Sequence, residues 1–334
     1  MIARDSSATL PRALNSIKSI VDEIIVVDTG SSDATVEVAR RYGARILDAV
    51  WNDNFSEVRN IGLEAAQSRW ILVLDSDEWM LPKDAAMLRN SLEEHESLSR
   101  PDRVAFRLLN RSLPGKGIGT GCSAFLTRLF PAHKSIRFEY PVHEQTDTSL
   151  LRAGYALKDL PIQILHDGYT DPAVRLQKQA RNLRILQKQI TGAPPHPITL
   201  FLMAGCFLDL NQVEEALFTY QLCFREAAQQ NHIVAMAGAT VRVATCLFRL
   251  GRLEEAHRFC SSVEGSPTEH PEFLITHALA LAALEQKEAA STQMEKILTL
   301  PDVPRMPPCD HGAALFQATR WLTEEAFNLR ASGR

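Results

Sequence analysis

The stretch Trp70-Ile71-Leu72-Val73-Leu74-Asp75-Ser76-Asp77-Glu78 decides how the chain is read. Its first five residues are apolar and mostly β-favouring, with no polar break, which is the pattern of a strand buried on both faces. The run ends in three carboxylates. If the backbone stays extended, Asp75 and Asp77 point to the same side of the sheet, about 7 Å apart along the chain. Carboxylates that end a buried strand are costly unless they reach water or hold a cation. In an open α/β sheet, ligands bind at the carboxyl ends of the strands. The expectation is that Asp75 and Asp77 hold a divalent metal against the phosphates of a substrate. Asp-x-Asp also occurs by chance, and the plain alternative is a strand cap followed by a solvated turn before Pro82. Glu78 reads as pointing away from the pair.

The neighbouring segments support an α/β sheet. Glu23-Ile24-Ile25-Val26-Val27-Asp28 is a second buried-type strand that ends in an acid. The turn Thr29-Gly30-Ser31-Ser32-Asp33 follows, rich in residues that cap helices. A helix through about Tyr42 then leads over Gly43 to a short strand at 44–47. Before this unit, Met1-Ile2-Ala3 reads as the tail of a strand, and Leu10, Leu14, Ile17 and Ile20 mark one helix face. Three residues are too few for a sheet strand, so a truncated first strand, with the true start upstream, is expected. Strand, helix and strand in this order are βαβ units with a parallel sheet. A helix carrying Arg59, Asn60, Gly62, Ala65 and Ala66 leads up to Trp70. Beyond Glu78 the pattern predicts a helix over 85–96 and a strand over 104–109. A glycine-rich loop follows at 115–121, then strand-like segments at 124–130, 136–140 and 162–165.

From Asp171 onward the pattern is helical only. Asp171-Pro172 starts a helix, and Ala193-Pro194-Pro195-His196-Pro197 breaks it. Three later segments resemble one another: Leu210-Asn211-Gln212-Val213-Glu214-Glu215-Ala216, Leu250-Gly251-Arg252-Leu253-Glu254-Glu255-Ala256 and Leu284-Glu285-Gln286-Lys287-Glu288-Ala289-Ala290. Each links two amphipathic helices. Counting back places Ala204 and Ala244 at the small-residue position of a tetratricopeptide repeat, Phe207 and Leu247 at its first large position, and Tyr220 and Cys260 on the second helix. The pattern resembles degenerate tetratricopeptide repeats, which stack to leave a concave groove; a plain helical bundle is the alternative. The domains expected are 1–169, α/β with the first strand truncated, and 170–334, a repeat-like all-α domain.

The totals exclude several classes. With 334 residues, 45% hydrophobic and 23% charged, the chain has the composition of an ordinary globular protein of two domains. A net charge of -4 offers nucleic acid no electrostatic footprint. The six cysteines have no CxxC and no ligand-like spacing with histidine, so they read as small apolar residues in a reducing compartment. No apolar run approaches a membrane span and no leader pattern stands at the start, which gives a cytoplasmic reading with a membrane-peripheral site of action open. The turn after Asp28 lacks GxGxxG and no GxxxxGK[ST] occurs, so a dinucleotide cofactor and a P-loop are disfavoured. Asp28, at the end of its strand, can accept hydrogen bonds from ribose hydroxyls or a base N–H. Capping the Gly30-Ser31-Ser32 turn is its plain alternative role.

Several segments together resemble a known family. Val27-Asp28-Thr29-Gly30-Ser31-Ser32-Asp33, Arg59-Asn60-Ile61-Gly62 and the stretch from Trp70 to Glu78 are similar to family-2 glycosyltransferases of the GT-A fold. So are Phe138-Glu139-Tyr140-Pro141-Val142-His143-Glu144-Gln145 and Ile164-Leu165-His166-Asp167-Gly168-Tyr169. The likeness is to bacterial members in which a short catalytic domain precedes tetratricopeptide-like helices. The resemblance implies that Asp28 and the residues around Ala3 and Arg4 contact a uridine-like nucleoside. It implies that Asp75 faces ribose or metal, that Asp77 ligates Mg²⁺ or Mn²⁺, and that His166 touches metal or diphosphate. Glu144 falls where the family places its catalytic base, and Arg59 could add charge at the phosphates, with a solvated helix arginine as the alternative.

Two readings follow. In the first, an inverting, metal-dependent glycosyltransferase moves sugar from a UDP-linked or related donor to a glycan, lipid or peptide acceptor. A hard cation would offset charge on the leaving diphosphate and one carboxylate would deprotonate the acceptor. The helical repeats would bind acceptor, a protein partner or another subunit. In the second, the chain is a repeat-based scaffold with an idle α/β domain. The Asp28, Asp75/Asp77, Glu144 and His166 set favours the enzyme; the short first strand favours the scaffold.

Overall fold

The computed structural model describes residues 1–97, 103–113, 123–166, 172–190, 195–301, 318 and 321. The chain divides into two compact units, Met1–Asp171 and Pro172–Arg334. The glycine-rich loop at 115–121 lies outside the described residues.

The first unit alternates strands and helices: β1 (Ile2–Ala3), α1 (Leu10–Ile17), β2 (Ile25–Asp28), α2 (Thr35–Arg41), β3 (Arg45–Asp48), α3 (Phe55–Ala65) and β4 (Trp70–Leu72). It continues with β5 (Glu78–Trp79), α4 (Pro82–Ser97), β6 (Val104–Ser112), β7 (Ser123–Pro131), α5 (Asp147–Arg152) and β8 (Ala156–His166). The first three strands form a parallel sheet in the order β1-β2-β3. The other five form a mixed sheet in the order β4-β7-β6-β8-β5, in which only β6 and β8 run parallel.

Local sequence accounts for the elements. Leu10, Ala13, Leu14 and Ile17 give α1 one buried face, with Pro tolerated in its first turn. The Asn54 side chain caps α3 by accepting from the Glu57 N–H at 3.3 Å, and its amide donates to the Glu57 carboxylate at 2.8 Å. Gly62 lets α3 lie close on β2, since a Cβ there would sit 3.3 Å from a Val27 methyl. Leu74, Leu88, Leu108, Leu129, Ile162 and Ile164 make one buried cluster. Ala105, Phe130, Ile136 and Leu150 belong to another.

Two expected strands differ. The run from Trp70 forms only three residues of strand, all half-buried, while the fully buried positions are Val73 and Leu74 just past it. The backbone turns at Ser76 and Asp77, so Asp75 and Asp77 do not share the face of an extended strand. The turn is stabilised from within, because the Asp75 carbonyl accepts from the Glu78 N–H at 3.1 Å. Residues 136–140 do not form a ladder strand either; they make one isolated bridge, Glu139 to Gln145. β1 has two residues and is hydrogen-bonded to β2.

The second unit is α6 (Pro172–Gln189), α7 (Pro197–Asp209), α8 (Val213–Gln229), α9 (Ile233–Arg249), α10 (Leu253–Ser262), α11 (Pro271–Ala283) and α12 (Lys287–Leu298). The three similar segments make the same turn. Asn211, Gly251 and Glu285 are left-handed at φ 61, 70 and 62°. The N–H of the next residue in each case, Gln212, Arg252 and Gln286, closes onto the carbonyl of Phe207, Leu247 and Leu281 at 2.9, 3.0 and 2.9 Å, the helix-ending pattern that favours Gly or Asn. Ala204, Ala244, Ala278, Ala216, Ala256 and Ala290 are fully buried, as small residues must be where helices approach closely. Cys206, Cys223, Cys246 and Cys260 are free and buried, and burial pushes each thiol up to about 12. They behave as small hydrophobes, one on each of α7 to α10.

Candidate functional site

The loops that follow β1, β2 and β4 are tied together by their own polar side chains. The Asp28 carboxylate, buried at the end of β2, accepts from the Gly30 and Ser31 N–H groups at 3.0 and 2.9 Å and from the Ser31 hydroxyl at 2.5 Å. The turn it shapes needs Gly30 at φ 91°. The Ser31 hydroxyl also accepts from the Asp5 N–H at 3.0 Å, and Asp5 in turn accepts from the Ser32 N–H at 2.7 Å. The Ala3 carbonyl accepts from the Thr29 N–H at 3.1 Å. Arg4 is exposed, 3.8 Å from the Asp5 carboxylate. The Ser76 hydroxyl donates to that of Ser6 at 3.0 Å, which joins the turn after β4 to the loop after β1. The predicted nucleoside-side residues Ala3, Arg4 and Asp28 are therefore one connected edge.

Asp77 and His166 come together through strand pairing. Glu78 in β5 sits opposite His166 in β8, and this register sets the Asp77 carboxylate 3.3 Å from His166 Nε2. Burial acts to lower the His166 pKa, but the hydrogen bond and charge of Asp77, with Glu78 and Asp75 behind it, raise it above the ordinary imidazole value. Among the described residues no cluster of three or more His, Cys, Asp or Glu could hold a metal. Asp77 supplies the carboxylate oxygen that Mg²⁺ or Mn²⁺ takes, with phosphate oxygens and water completing the shell, and His166 would join it only as the neutral imidazole.

Asp75 and Glu144 meet on one arginine. Arg59 of α3, 9% exposed, donates from Nε to Glu144 at 2.5 Å and from Nη2 to Asp75 at 2.7 Å. Its solvated-helix reading is thus replaced by a buried one. Burial alone would lower its pKa, and the two carboxylates raise it beyond the ordinary arginine value. Burial likewise disfavours the Asp75 anion, yet Arg59 and then Arg128, 3.6 Å away, hold its carboxyl well below the usual range.

Sequence reading missed the layer beneath. Glu78, set aside above as pointing away, is 2% exposed and accepts from the Asp75 N–H at 2.9 Å, from Asn110 at 2.6 Å and from Arg128 at 2.6 Å. Burial raises its pKa against the pull of Arg128. A signal existed. Asn110 and Arg128 are buried polar residues within the apolar strands β6 and β7, where an unpaired polar group is costly and implies a partner. Asp75, Glu78 and Glu144 are thus shared between Arg59 and Arg128, while Asp77 pairs with His166.

One edge of the α/β unit thus brings Asp77 to His166, and Asp75 to Glu144 through Arg59. Residues 1–111 match the profile of Glycosyl transferase family 2. A TPR repeat-containing protein of Synechococcus elongatus is 36% identical over 208 residues, covering 60% of this chain and 49% of its own. An uncharacterized glycosyltransferase of Rickettsia felis is 37% identical over 78 residues, 23% of this chain and 27% of its own. The chain spans about half the length of the first relative and about a quarter of the second. The crystal structure of S. aureus TarS 1-349 overlaps 89% of both chains at 13% identity, with a TM-score of 0.38.

Proposed function

We propose that the α/β unit is an inverting glycosyltransferase that moves a sugar from a nucleotide-diphosphate donor, of the UDP-sugar type, to a glycan, lipid or peptide acceptor. The observation that carries this is the convergence of Asp77 with His166 on one side and of Asp75 with Glu144 on the other, in a unit whose residues 1–111 match family 2. In this reading Asp28 and the edge around Ala3 and Arg4 hold the nucleoside, with Asp28 also shaping the turn that receives it. Asp77 and His166 hold Mg²⁺ or Mn²⁺. When bound, the cation supplies Lewis-acid stabilisation to the leaving diphosphate. Glu144 takes the proton of the acceptor hydroxyl as it attacks the anomeric carbon, and a single base suffices because the diphosphate leaves without an acid. Arg59 acts on the carboxylates rather than on the phosphates.

The domains in this proposal are 1–169 for transfer and 170–334 for tetratricopeptide-like repeats that bind the acceptor or a protein partner. No helix among the described residues is long and apolar enough to cross a membrane. We place the activity in the cytoplasm, at a membrane surface where the acceptor is a lipid. Thermal-shift titration with UDP-, GDP- and dTDP-sugars, each with Mn²⁺ or EDTA, tests the reading. A UDP-sugar with Mn²⁺ is expected to raise Tm and EDTA to abolish the rise. Stabilisation by none of them sinks the transferase proposal, and a rise that survives both EDTA and Asp77→Ala removes the metal assignment.

A further inference from the structure

The loop that carries Glu144 is held in an unfavourable shape by one face of α3. Tyr140 and His143 are left-handed, at φ 74 and 54°, and neither is glycine. Such a conformation costs about 1–2 kcal/mol per residue and persists only where the surroundings over-determine it. The surroundings are specific here. The Asn60 amide accepts from the Phe138 N–H at 2.9 Å and donates to the Phe138 carbonyl at 3.0 Å, so a side chain takes the place of a neighbouring strand. The Ser56 hydroxyl donates to the Tyr140 carbonyl at 2.5 Å, and the Phe55 N–H to the Pro141 carbonyl at 2.9 Å. Beyond them the loop closes on itself, as Glu139 and Gln145 exchange N–H to carbonyl bonds at 3.0 and 3.2 Å. Arg59, next to Asn60 on the helix, then grips Glu144 and Asp75 together.

We propose that Asn60 and Arg59 are positioning residues. They lock loop 139–145 onto α3, and through Asp75 onto the donor edge, so that Glu144 stands at its working place before either substrate arrives. This rests on the transferase reading above and adds the residues that set its acceptor side. The physical reason is preorganisation. A general base acts only within hydrogen-bond reach of its proton, and a displacement of about 1 Å can cost on the order of 100-fold in rate. Neither residue touches a reacting atom in this account. Their effect runs through the place of Glu144, so turnover should suffer while donor binding does not.

Asn60→Ala is the primary test, read by amide hydrogen exchange, nucleotide binding and turnover on the full chain. Exchange at Glu139 and Gln145 is expected to quicken at least about tenfold, because their mutual bonds depend on the clamp. The kcat should fall about 10- to 100-fold, with the Kd for UDP and Mn²⁺ and the donor KM within about twofold of the parent protein. Arg59→Lys keeps the charge but has no fork to span two carboxylates, so kcat should fall in it as well. Unchanged exchange and kcat in a folded Asn60→Ala protein would overturn the proposal. So would an equal fall in kcat and donor affinity, the signature of a merely structural role. Should Asn60→Ala fail to fold, Ser56→Ala removes one anchor only and must move both readouts in the same direction by a smaller factor. If the parent protein itself neither binds nor turns over any nucleotide sugar, it is the transferase reading that fails, and the exchange readout still decides whether Asn60 clamps the loop.

Discussion

The turn between α7 and α8 is closed by a bond that reaches back five residues, from Gln212 to Phe207, and the same turn recurs between α9 and α10 and between α11 and α12. The contact between Arg59 and Glu144 joins residues 85 apart, and that between Ser56 and Tyr140 joins residues 84 apart. The helical unit repeats a local device. The edge of the α/β unit is assembled once, from distant pieces, and its polar groups hold one another. One region should therefore tolerate damage by degrees, each helix pair depending mainly on its neighbours. The other should respond to loss of one buried charge as a whole, because Glu144 loses the cation that holds it and Asp75 the nearer of its two.

The largest expected effect breaks the α/β edge. Arg59→Met leaves Asp75 and Glu144 without their shared cation and should cost about 3–5 kcal/mol. Urea unfolding of a Trp321→Phe background followed by tryptophan fluorescence checks this, since the other three of the four tryptophans, Trp51, Trp70 and Trp79, lie in the α/β unit. The helical unit, followed by far-UV circular dichroism, should keep its own midpoint. Loss of both transitions together would show that the two regions do not differ as argued.

Acid separates the two regions next. His277 is buried on α11, and burial, then the nearby His257 and Lys296, lower its pKa from 6.5 to about 4. Between these values the unfolded chain binds a proton that the native chain does not, so stability falls as pH drops from 6.5 toward 4, by roughly 1–3 kcal/mol. His277→Gln should flatten this slope in the helical unit. Asp75 has linkage of the same sign in a lower pH window. Its lowered pKa gives stability that is present above the ordinary carboxyl value of 3.8 and lost only as pH falls below it. Of these two groups His277 titrates first on acidification, so His277→Gln should act at a higher pH than any effect of Asp75, and an effect confined below pH 3.8 would contradict its assignment.

The smallest effect sharpens the repeat argument. Glu285→Gly should stabilise by about 0.5–1 kcal/mol, since glycine adopts φ 62° without the side-chain penalty. Gly251→Ala should destabilise by a similar amount of about 1 kcal/mol, although nothing lies within 4 Å of the added carbon. Opposite signs at equivalent positions, read as shifts in Tm, would show that the turns are one motif.

The contrast also explains what could be read from the sequence. Leu-x-x segments ending in a buried alanine recur, so Ala204, Ala244, Leu247, Tyr220 and Cys260 take repeat-like positions by counting, and the structure buries all five. Phe207, placed with them, is only half-buried. Apolar runs located most strands of the α/β unit for the same reason. What spacing could not show is which polar residues meet across the fold. The resemblance implies that Asp77 and His166 serve one metal, and the register of β5 against β8 is what makes them neighbours. Extended alternation put Asp75 and Asp77 on one face, but a turn at Ser76 gives Asp75 to two arginines and Asp77 to a histidine. Glu78 was discounted for the same mistaken alternation. Residues 136–140 have the composition of a strand, and their pairing partner is the side chain of Asn60, which no period predicts.

The four buried cysteines have a practical consequence. With thiols near pKa 12, Cys206, Cys223, Cys246 and Cys260 hold almost no thiolate at neutral pH and stay closed to alkylating reagents while their helices remain packed. Each becomes reactive when its own helix opens. Because they fall on four successive helices, the order in which they are labelled in dilute urea would chart where the array comes apart first, helix by helix, without any added probe.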